Sequence, residues 1–568
     1  MTSPPIALLL PPRLRRALAL WPRIVAALFG LWWFGHLAGR WDILLPTRTG
    51  WLMVADWGAH QMGWMFFRND HWSWPIGHYT NLLHPVGSTV GFSDSIPVLA
   101  VLGKLLSPLL PQQFQYIGPW LAVCFMLQGW MGAKIARRFW ADPCCHLLGG
   151  LLFVTTPTLL LRVGHPSLCA HWILLALIGL HLQMVPGSKS LAQAALLTLL
   201  STAVHPYLAA MTLVLTLALV VRVQLGDAGF AFPSRWLRVV LIGGGILLVA
   251  GLAFWTLGYI GTGARIEGEN FDRYGADVTT FFNSMGYSRH LPALPQGSGA
   301  NEGFAYLGLG LLALTLAALV LFSPRQLRGV HWRAVAPLAI ACGLLAIFAL
   351  SPTVRFGGGT FIPLGRLYQQ IALLVHTFRS SGRFIWPLHY LFITFAIGAM
   401  AVVLRGRPLA GKVVLGAALA LQLFDLDMKP SRERFWASGF VSPASPVWDQ
   451  ARGDYDHVAL YPPQIYTSGC GARFDERYVY NLGALAQRLG MTFNSGYVAR
   501  LDLVQIQEHC FAWNARTAAG DLDDRTIYIV RSADVMPGGK AICGPIDGYV
   551  ACVSAQRPPT PLRKTLSP

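Results

Sequence analysis

Charged side chains are scarce in this sequence. Asp, Glu, Lys and Arg together make up 12 % of the chain, about half the share found in soluble globular domains. That excludes a soluble enzyme with an ordinary polar surface. Signature loops are missing as well. There is no P-loop, Rossmann fingerprint, nucleophile elbow or HExxH, and Gly357-Gly358-Gly359 lacks a following Lys-Ser. Chemistry on a soluble nucleotide is therefore poorly supported, and the triplet reads as a flexible turn. The nine cysteines contain no C-x-x-C spacing, which argues against a zinc site. Low-complexity tracts, heptad runs and short-period repeats are absent. No cleavage site follows the first apolar run, so that run reads as a retained helix.

Hydrocarbon is abundant instead. Hydrophobic residues make up 54 % of the chain, and the mean hydropathy is +0.47. Repeated apolar runs of roughly 17–25 residues each are long enough to cross a bilayer. The expected fold class is an α-helical polytopic membrane protein with about eleven transmembrane helices. They fall at about 17–38, 114–136, 146–163, 167–185, 191–204, 207–221, 237–260, 304–322, 334–350, 384–404 and 413–424. Arg13, Arg15 and Arg16 precede the first span, and basic residues such as Arg137, Arg138, Arg238 and Arg405 recur at each expected inner turn. This pattern puts the N-terminus in the cytoplasm and the end of the last span outside. Much of the +18 net charge lies in these loops, where it suits an anionic lipid surface, so no nucleic-acid partner is expected. Four arginines resist the pattern: Arg355, Arg366, Arg379 and Arg383 fall in an outer loop.

The first outer loop is dense in Trp, His and Gly and carries two segments expected to lie on the membrane, 51–69 and 92–110. In the second, Ser93 and Asp94 are expected to cap a helix, Pro97 to fit its first turn, and Lys104 and Ser107 to form its polar side.

Composition turns globular after residue 427. The expected division is a transmembrane domain over 1–427, a small extracytoplasmic α/β domain over 428–556 and a disordered tail over 557–568. Strands are predicted at 457–461 and 526–530, and helices at 476–489 and 502–513. Cys124, Cys144, Cys145, Cys169 and Cys342 read as apolar packing residues of the spans. The other four cysteines, Cys470, Cys510, Cys543 and Cys552, all belong to the terminal domain. An even set there predicts two disulfides and an oxidising, periplasm-like compartment. Order and proximity favour Cys470–Cys510 and Cys543–Cys552 among the three pairings.

Polar residues gather at the outer ends of the spans. Asp56 is the focal one, with His60, His71, His78, His84 and Asp94 in the same loop. His165, His205, Glu267, Glu269, Asp272, Asp277, Arg379 and Arg383 join from later loops. Bland readings exist for each. Asp56 suits a helix N-cap, the His-Pro pairs suit helix-end turns, the arginines of FRSSGRF suit snorkelling to headgroups, and the acids suit a solvated loop. Together they suggest a polar cavity open to the outside. Arginine suits a lipid phosphate, and a carboxylate suits removal of a hydroxyl proton.

The layout resembles the GT-C superfamily, the integral membrane glycosyltransferases that take sugars from polyprenyl-phosphate carriers. The features that carry the resemblance are an inner N-terminus and a long first outer loop bearing an early Asp (VADWGAH). A second juxtamembrane helix (SDSIPVLAVLGKLLSPLLP) and a span ending in KIARRFW follow. The chain is also similar to a group of uncharacterised bacterial polytopic membrane proteins with FRSSGRF-like loops and a cysteine-containing terminal domain. The resemblance implies that Asp56 is the catalytic base or helps bind a metal. No D-D or E-D pair surrounds Asp56, so a divalent metal has no motif behind it and no cofactor is assigned. The expected function is transfer of a sugar from a polyprenyl-phosphate donor to a glycan, lipid or protein acceptor of the cell envelope, on the outer face of a bacterial inner membrane. Arg379 and Arg383 are expected to hold the lipid phosphate with His60, His165 and His205 nearby, and Asp94, Glu269 and Asp277 are acidic contributors. Two other classes stay open: a transporter or flippase, and a non-catalytic subunit for envelope polysaccharide assembly.

Overall fold

Each of the eleven apolar runs carries a helix: Trp21–Ala38, Ile117–Ala136, Pro143–Val154, Trp172–His181, Ser188–Thr202, Pro206–Leu225, Pro233–Thr256, Leu309–Leu321, Trp332–Ala349, Trp386–Val403 and Pro408–Asp425. The computed structural model describes residues 20–226, 233–263, 271–323, 326, 331–436, 443–465, 469–471 and 476–566. Among these, five helices are long and apolar enough to cross a membrane, six if one bent pair is a single span. The remaining helices are shorter, such as Leu309–Leu321, or diluted by Gln, Gly and Lys, as in Ile117–Ala136. The chain is a mostly helical protein with five to six candidate membrane spans, followed by an α/β sheet domain with disulfides.

The chain folds as two compact units. The first comprises Met1–Leu45, Ile117–Ala250 and Glu267–Phe435. Small residues let its helices approach closely, as is common between helices in lipid. A Cβ on Gly30 would collide with the Phe125 carbonyl, and one on Gly129 with the Ala26 carbonyl. Ser188–Thr202 and Pro206–Leu225 are joined by hydroxyl pairs, with Thr198 Oγ1 2.8 Å from Thr216 Oγ1 and Ser201 Oγ 2.5 Å from Thr212 Oγ1. The expected span 146–163 is broken: its two halves bend by 41° at Thr155-Thr156-Pro157. Pro157 cannot supply the N–H that would bond the Phe153 carbonyl, which accepts from Gln128 Nε2 at 3.3 Å, and the Thr155 carbonyl freed by the bend accepts from Gln422 Nε2 at 3.3 Å.

The second unit comprises Pro46–Tyr116, Gly251–Ile266 and Trp436–Pro568. Its sheet has five strands: β1 His457–Leu460, β2 Thr492–Phe493, β3 Thr526–Val530, β4 Ala541–Ile546 and β5 Tyr549–Ser554, in the order β2-β1-β3-β5-β4. β1 runs parallel to β2 and β3, and β5 is antiparallel to β3 and β4. Glu476–Leu489 connects β1 to β2, and Leu503–Ala518 connects β2 to β3. Parallel neighbours require such crossovers. Both predicted strands and both predicted helices of this domain are present.

Residues 46–116 share this unit's core. Helix Ala55–Asn69 buries Met62, Trp64, Phe66 and Phe67 in one cluster with Leu482, Leu485, Ile527 and Ile529. It is a core helix, not the surface-lying one expected, because its apolar residues surround it on nearly every side. The segment after it joins the edge of β2, with Phe493 N donating to Asn81 O at 2.8 Å and His84 N to Phe493 O at 3.0 Å. Helix Pro97–Leu105 does begin at Pro97, yet neither Ser93 nor Asp94 caps it; the cap position is Ile96, in left-handed backbone at φ 49°. Lys104 is not on its watery side either. Its ammonium lies 4.1 Å from the Phe67 ring centre and 4.5 Å from that of Trp72, and donates to the His71 carbonyl at 3.1 Å. Burial pushes Lys104 down to about 8.

The segment from 557, expected to be a disordered tail, folds back over residues 557–566. Leu562 and Leu566 of helix Pro561–Leu566 are buried in the core, and Thr560 Oγ1 bonds Tyr455 OH at 2.9 Å. Two leucines four apart supply the apolar anchor that a disordered tail lacks.

Candidate functional site

The predicted site residues divide between the two units. Asp56, His60 and Asp94 belong to the second; His165, His205, Asp277, Arg379 and Arg383 belong to the first. Glu269 lies outside the described residues.

Asp56 is not a helix N-cap. The cap position of Ala55–Asn69 is Val54, with no side-chain bond, and Asp56 sits half-buried in the first turn. Ala55 before it has φ 46°, a left-handed conformation that costs a residue bearing a Cβ about 1–3 kcal/mol. Tyr480 holds this residue: its hydroxyl donates to the Ala55 carbonyl at 2.8 Å. The ring of Tyr480 crosses Gly58 so closely that a Cβ there would lie 2.5 Å from Cε2. Trp51 and Trp57 meet edge to face at 4.9 Å beside the same turn. His60, one turn on, is buried, and its carbonyl accepts from Ser95 Oγ at 2.9 Å. Asp94 is half-buried in left-handed backbone at φ 55°.

In the first unit the FRSSGRF stretch does not form one helical turn. The chain breaks between helix Ala372–Thr377 and the tight turn Ser381–Ile385, so Arg379 and Arg383 part company. Gly382 permits the break by lying against 303; a Cβ on it would be 2.7 Å from Gly303 N and from Tyr274 O. Arg379 is exposed, its guanidinium 5.3 Å from the Tyr274 ring. Arg383 turns inward: Nε donates to Glu302 Oε2 at 2.8 Å, and the guanidinium lies 4.6 Å from the Tyr207 ring. Arg162 reaches the same carboxylate oxygen at 3.0 Å and the Asn301 carbonyl at 2.7 Å. His165 Nε2 is 4.0 Å from Glu302 Oε1. Burial pushes the Glu302 carboxyl up, but Arg383, Arg162 and His165 outweigh it and hold the group well below the usual carboxylate range.

Two other predicted residues have local structural partners. His205 caps Pro206–Leu225, its Nδ1 accepting from Tyr207 N at 3.1 Å. Asp277 Oδ1 accepts from Thr279 N at 2.8 Å and Gly357 N at 3.1 Å, and Oδ2 from Gly358 N at 2.9 Å. The glycine triplet is thus the turn of a hairpin, Thr353–Phe356 with Gly359–Pro363, bound by a carboxylate. Arg355 pairs with Asp272 at 2.6 Å. Arg355, Arg379 and Arg383 therefore have local contacts, whereas Arg366 is exposed on the short helix Gly365–Gln369.

Sequence reasoning missed Glu302 and Arg162. An arginine inside an apolar run, as in LLLRVGHP, is itself a signal; Glu302 gave none, being one of several acids in a polar loop. Asp425 was missed too. It is 1 % exposed and accepts from Ser288 Oγ at 2.5 Å, with His290 Nδ1 at 3.1 Å and Tyr306 OH at 3.3 Å. Among the described residues no group of three or more His, Cys, Asp or Glu is arranged to hold a metal.

Residues 27–427 match the family described as Domain of unknown function (DUF6311), and residues 447–554 match the DUF6311 C-terminal domain. The chain belongs to the DUF6311 family. Asp56, Glu302, Arg379 and Arg383 all fall within the first match, and the four disulfide cysteines within the second. Among curated proteins, none matches the chain. The disulfides are Cys470–Cys510 and Cys543–Cys552, as expected, with Cα separations of 6.2 and 4.1 Å. They are consistent with an extracytoplasmic location for this C-terminal region.

Proposed function

We propose that this DUF6311 protein is a glycosyltransferase of the bacterial plasma membrane that moves a sugar from a polyprenyl-phosphate carrier to a cell-envelope acceptor on the outer face. The observation that carries the reading is the left-handed Ala55 directly before Asp56, clamped by Tyr480. Backbone strain that surrounding structure over-determines concentrates at functional sites, and here it fixes the backbone that carries the Asp56 carboxylate. In the proposed step the acceptor hydroxyl oxygen attacks the anomeric carbon, the bond from that carbon to the phosphate oxygen breaks, and polyprenyl phosphate leaves. Asp56 takes the hydroxyl proton as the new bond forms, a contribution of about 10²–10⁴-fold. In the first unit, Arg379 contacts lipid phosphate in this reading, and Arg383, engaged by Glu302, supports that loop. The N-terminus is cytoplasmic and the C-terminal domain periplasmic in this reading.

Purified protein in nanodiscs is incubated with a panel of polyprenyl-phosphate hexoses and pentoses, and release of polyprenyl phosphate is followed. Wild type should turn over at least one donor. Asp56→Asn should keep its unfolding free energy to within about 2 kcal/mol, the upper worth of a charge at a partly buried helix start, and should lose transfer. A folded Asp56→Asn protein with near-normal transfer would reduce Asp56 to a helix-dipole partner. A wild type inert toward every donor would favour a transport or assembly role.

A further inference from the structure

The second unit contains a cavity of 180 Å³ that the proposed transfer reaction does not use. One water needs about 10–15 Å³ of such space, so the cavity has room for roughly a dozen waters, enough for one sugar ring. Its walls come from three places: the His84-Pro85 turn, the β1 face at His457, and the helix Leu503–Ala518, which contributes His509, Trp513 and Arg516. The folding that makes it is specific. Pairing of residues 81–84 with the β2 edge brings His84 onto His457, their rings stacked at 4.8 Å and 20°. Each ring is oriented through Nδ1, His457 by Thr492 Oγ1 at 2.7 Å and His84 by the Thr80 carbonyl at 3.3 Å. The helix wall is pinned by the Cys470–Cys510 disulfide, and Trp513 is braced against Tyr461 and Tyr528 at 5.6 and 5.9 Å.

We propose that this cavity binds an anionic sugar ring, a uronate or sugar-phosphate unit of a glycan. The chemistry is that of the wall. Three imidazoles and a guanidinium face a single carboxylate, Asp523, whose oxygen already receives the Thr526 hydroxyl. Guanidinium and imidazolium donors give charge-assisted bonds to carboxylate or phosphate, and an indole offers an apolar face to a ring carrying hydroxyls at its edge. Burial lowers His84 below the ordinary imidazole range, His457 and His509 add to this, and Thr80 and Asp70 oppose it. Burial and Arg516 lower His509. These surroundings keep those two imidazoles neutral near pH 7, and an arriving anion favours their protonation. Affinity for a uronate, which keeps its charge throughout, should rise as the pH falls from about 7.5 to about 5.5. The inference does not depend on catalysis, since binding is read without a donor and its failure would leave the transfer reading intact.

The test is calorimetric titration of the full-length protein in nanodiscs with trigalacturonate, its neutral trimethyl ester, glucose 6-phosphate and inorganic phosphate. Saturable binding of trigalacturonate or glucose 6-phosphate is expected, and which of the two binds identifies the acid. The trimethyl ester should bind at least about tenfold more weakly. Arg516→Gln and His509→Gln alter side chains outside the core and should keep the thermal midpoint while weakening the anionic ligand by a similar factor. Equal binding of ester and acid, equal binding of inorganic phosphate and glucose 6-phosphate, unchanged affinity in both variants, or no binding of any probe would each overturn the proposal.

Discussion

Glu302→Gln removes one charge and almost no volume from a buried ionic group of the first unit. Arg162, Arg383 and Glu302 are each less than 10 % exposed, so water screens them little. Two unit charges about 4 Å apart interact by about 4 kcal/mol at an effective dielectric of 20, and one carboxylate here faces two guanidiniums at 3.0 and 2.8 Å. Most of that attraction offsets the desolvation of three charges. Removing one partner exposes the imbalance, and buried pairs broken in this way destabilise by about 3–5 kcal/mol. Gln keeps an acceptor oxygen, so the lower end, about 3 kcal/mol, is expected. The pH dependence has a definite sign. The folded carboxyl titrates below its unfolded value of about 4.3, so its contribution is complete above that value and is lost as the pH falls toward the folded one. The gap between wild type and Glu302→Gln should be constant near neutrality and shrink below about pH 4.3. Thermal unfolding in detergent micelles at neutral and acid pH measures both, with the exposed Arg366→Gln as control. An unaltered midpoint in Glu302→Gln, or a gap that widens in acid, would refute the reasoning.

Gly58→Ala should destabilise the second unit by about 1–3 kcal/mol through the Tyr480 clash, despite a helix-propensity gain of about 1 kcal/mol; an unchanged denaturation midpoint would contradict it. Arg379→Lys should weaken binding of a polyprenyl-phosphate donor by about tenfold, since Lys cannot make the bidentate contact, and equal affinity in a pull-down with labelled donor would return Arg379 to headgroup snorkelling. Non-reducing mass spectrometry should recover Cys470–Cys510 and Cys543–Cys552 peptides, and four free thiols would sink the assignment. Reporters fused after Arg138, Arg238 and Arg405 should stay cytoplasmic while one after Asp427 is exported, and a cytoplasmic reporter at the last site would overturn the topology along with the outer-face reading.

The legible parts of this chain were those set by local pattern. HVALY and TIYIV are short, largely apolar runs, and both became strands of the terminal sheet. Four cysteines confined to one globular stretch declared two disulfides before any geometry was known. Features set by partners distant in sequence were not legible. Helix Ala55–Asn69 has the Trp and Met content of an interfacial segment, and nothing local in WLMVADWGAHQMGWMFFRN says that Gly58 and Met62 meet residues 480 and 483. Lys104 looked like the polar face of its helix because sequence cannot show Phe67 and Trp72 closing over it. Asp94 looked like a cap because the left-handed Ile96 that intervenes has no signature. Arg379 and Arg383 were expected to act together on one phosphate, and the break at Gly382 parts them. Arg162 was readable by the general rule that ions within apolar runs have a task, and was overlooked among stronger signals.

The break at Thr155-Thr156-Pro157 also bears on how the chain is assembled. The carbonyl freed there is answered by Gln422, which also donates to Leu307 O at 3.0 Å and accepts from Leu311 N at 3.2 Å. Thr156 Oγ1 meets His389 Nε2 at 2.8 Å. A segment made early in translation is therefore completed by side chains made more than two hundred residues later. Until the ribosome has delivered Pro408–Asp425, the kinked segment must keep its Thr155 carbonyl wetted, shield it with lipid headgroups or lend it to an insertion factor. Nascent chains cut short before residue 408 should then be held by the membrane insertase and cleared by quality-control proteases, while chains extended past residue 425 are released. On that outcome, Gln422 is the residue through which completion of the early segment waits on arrival of the late one.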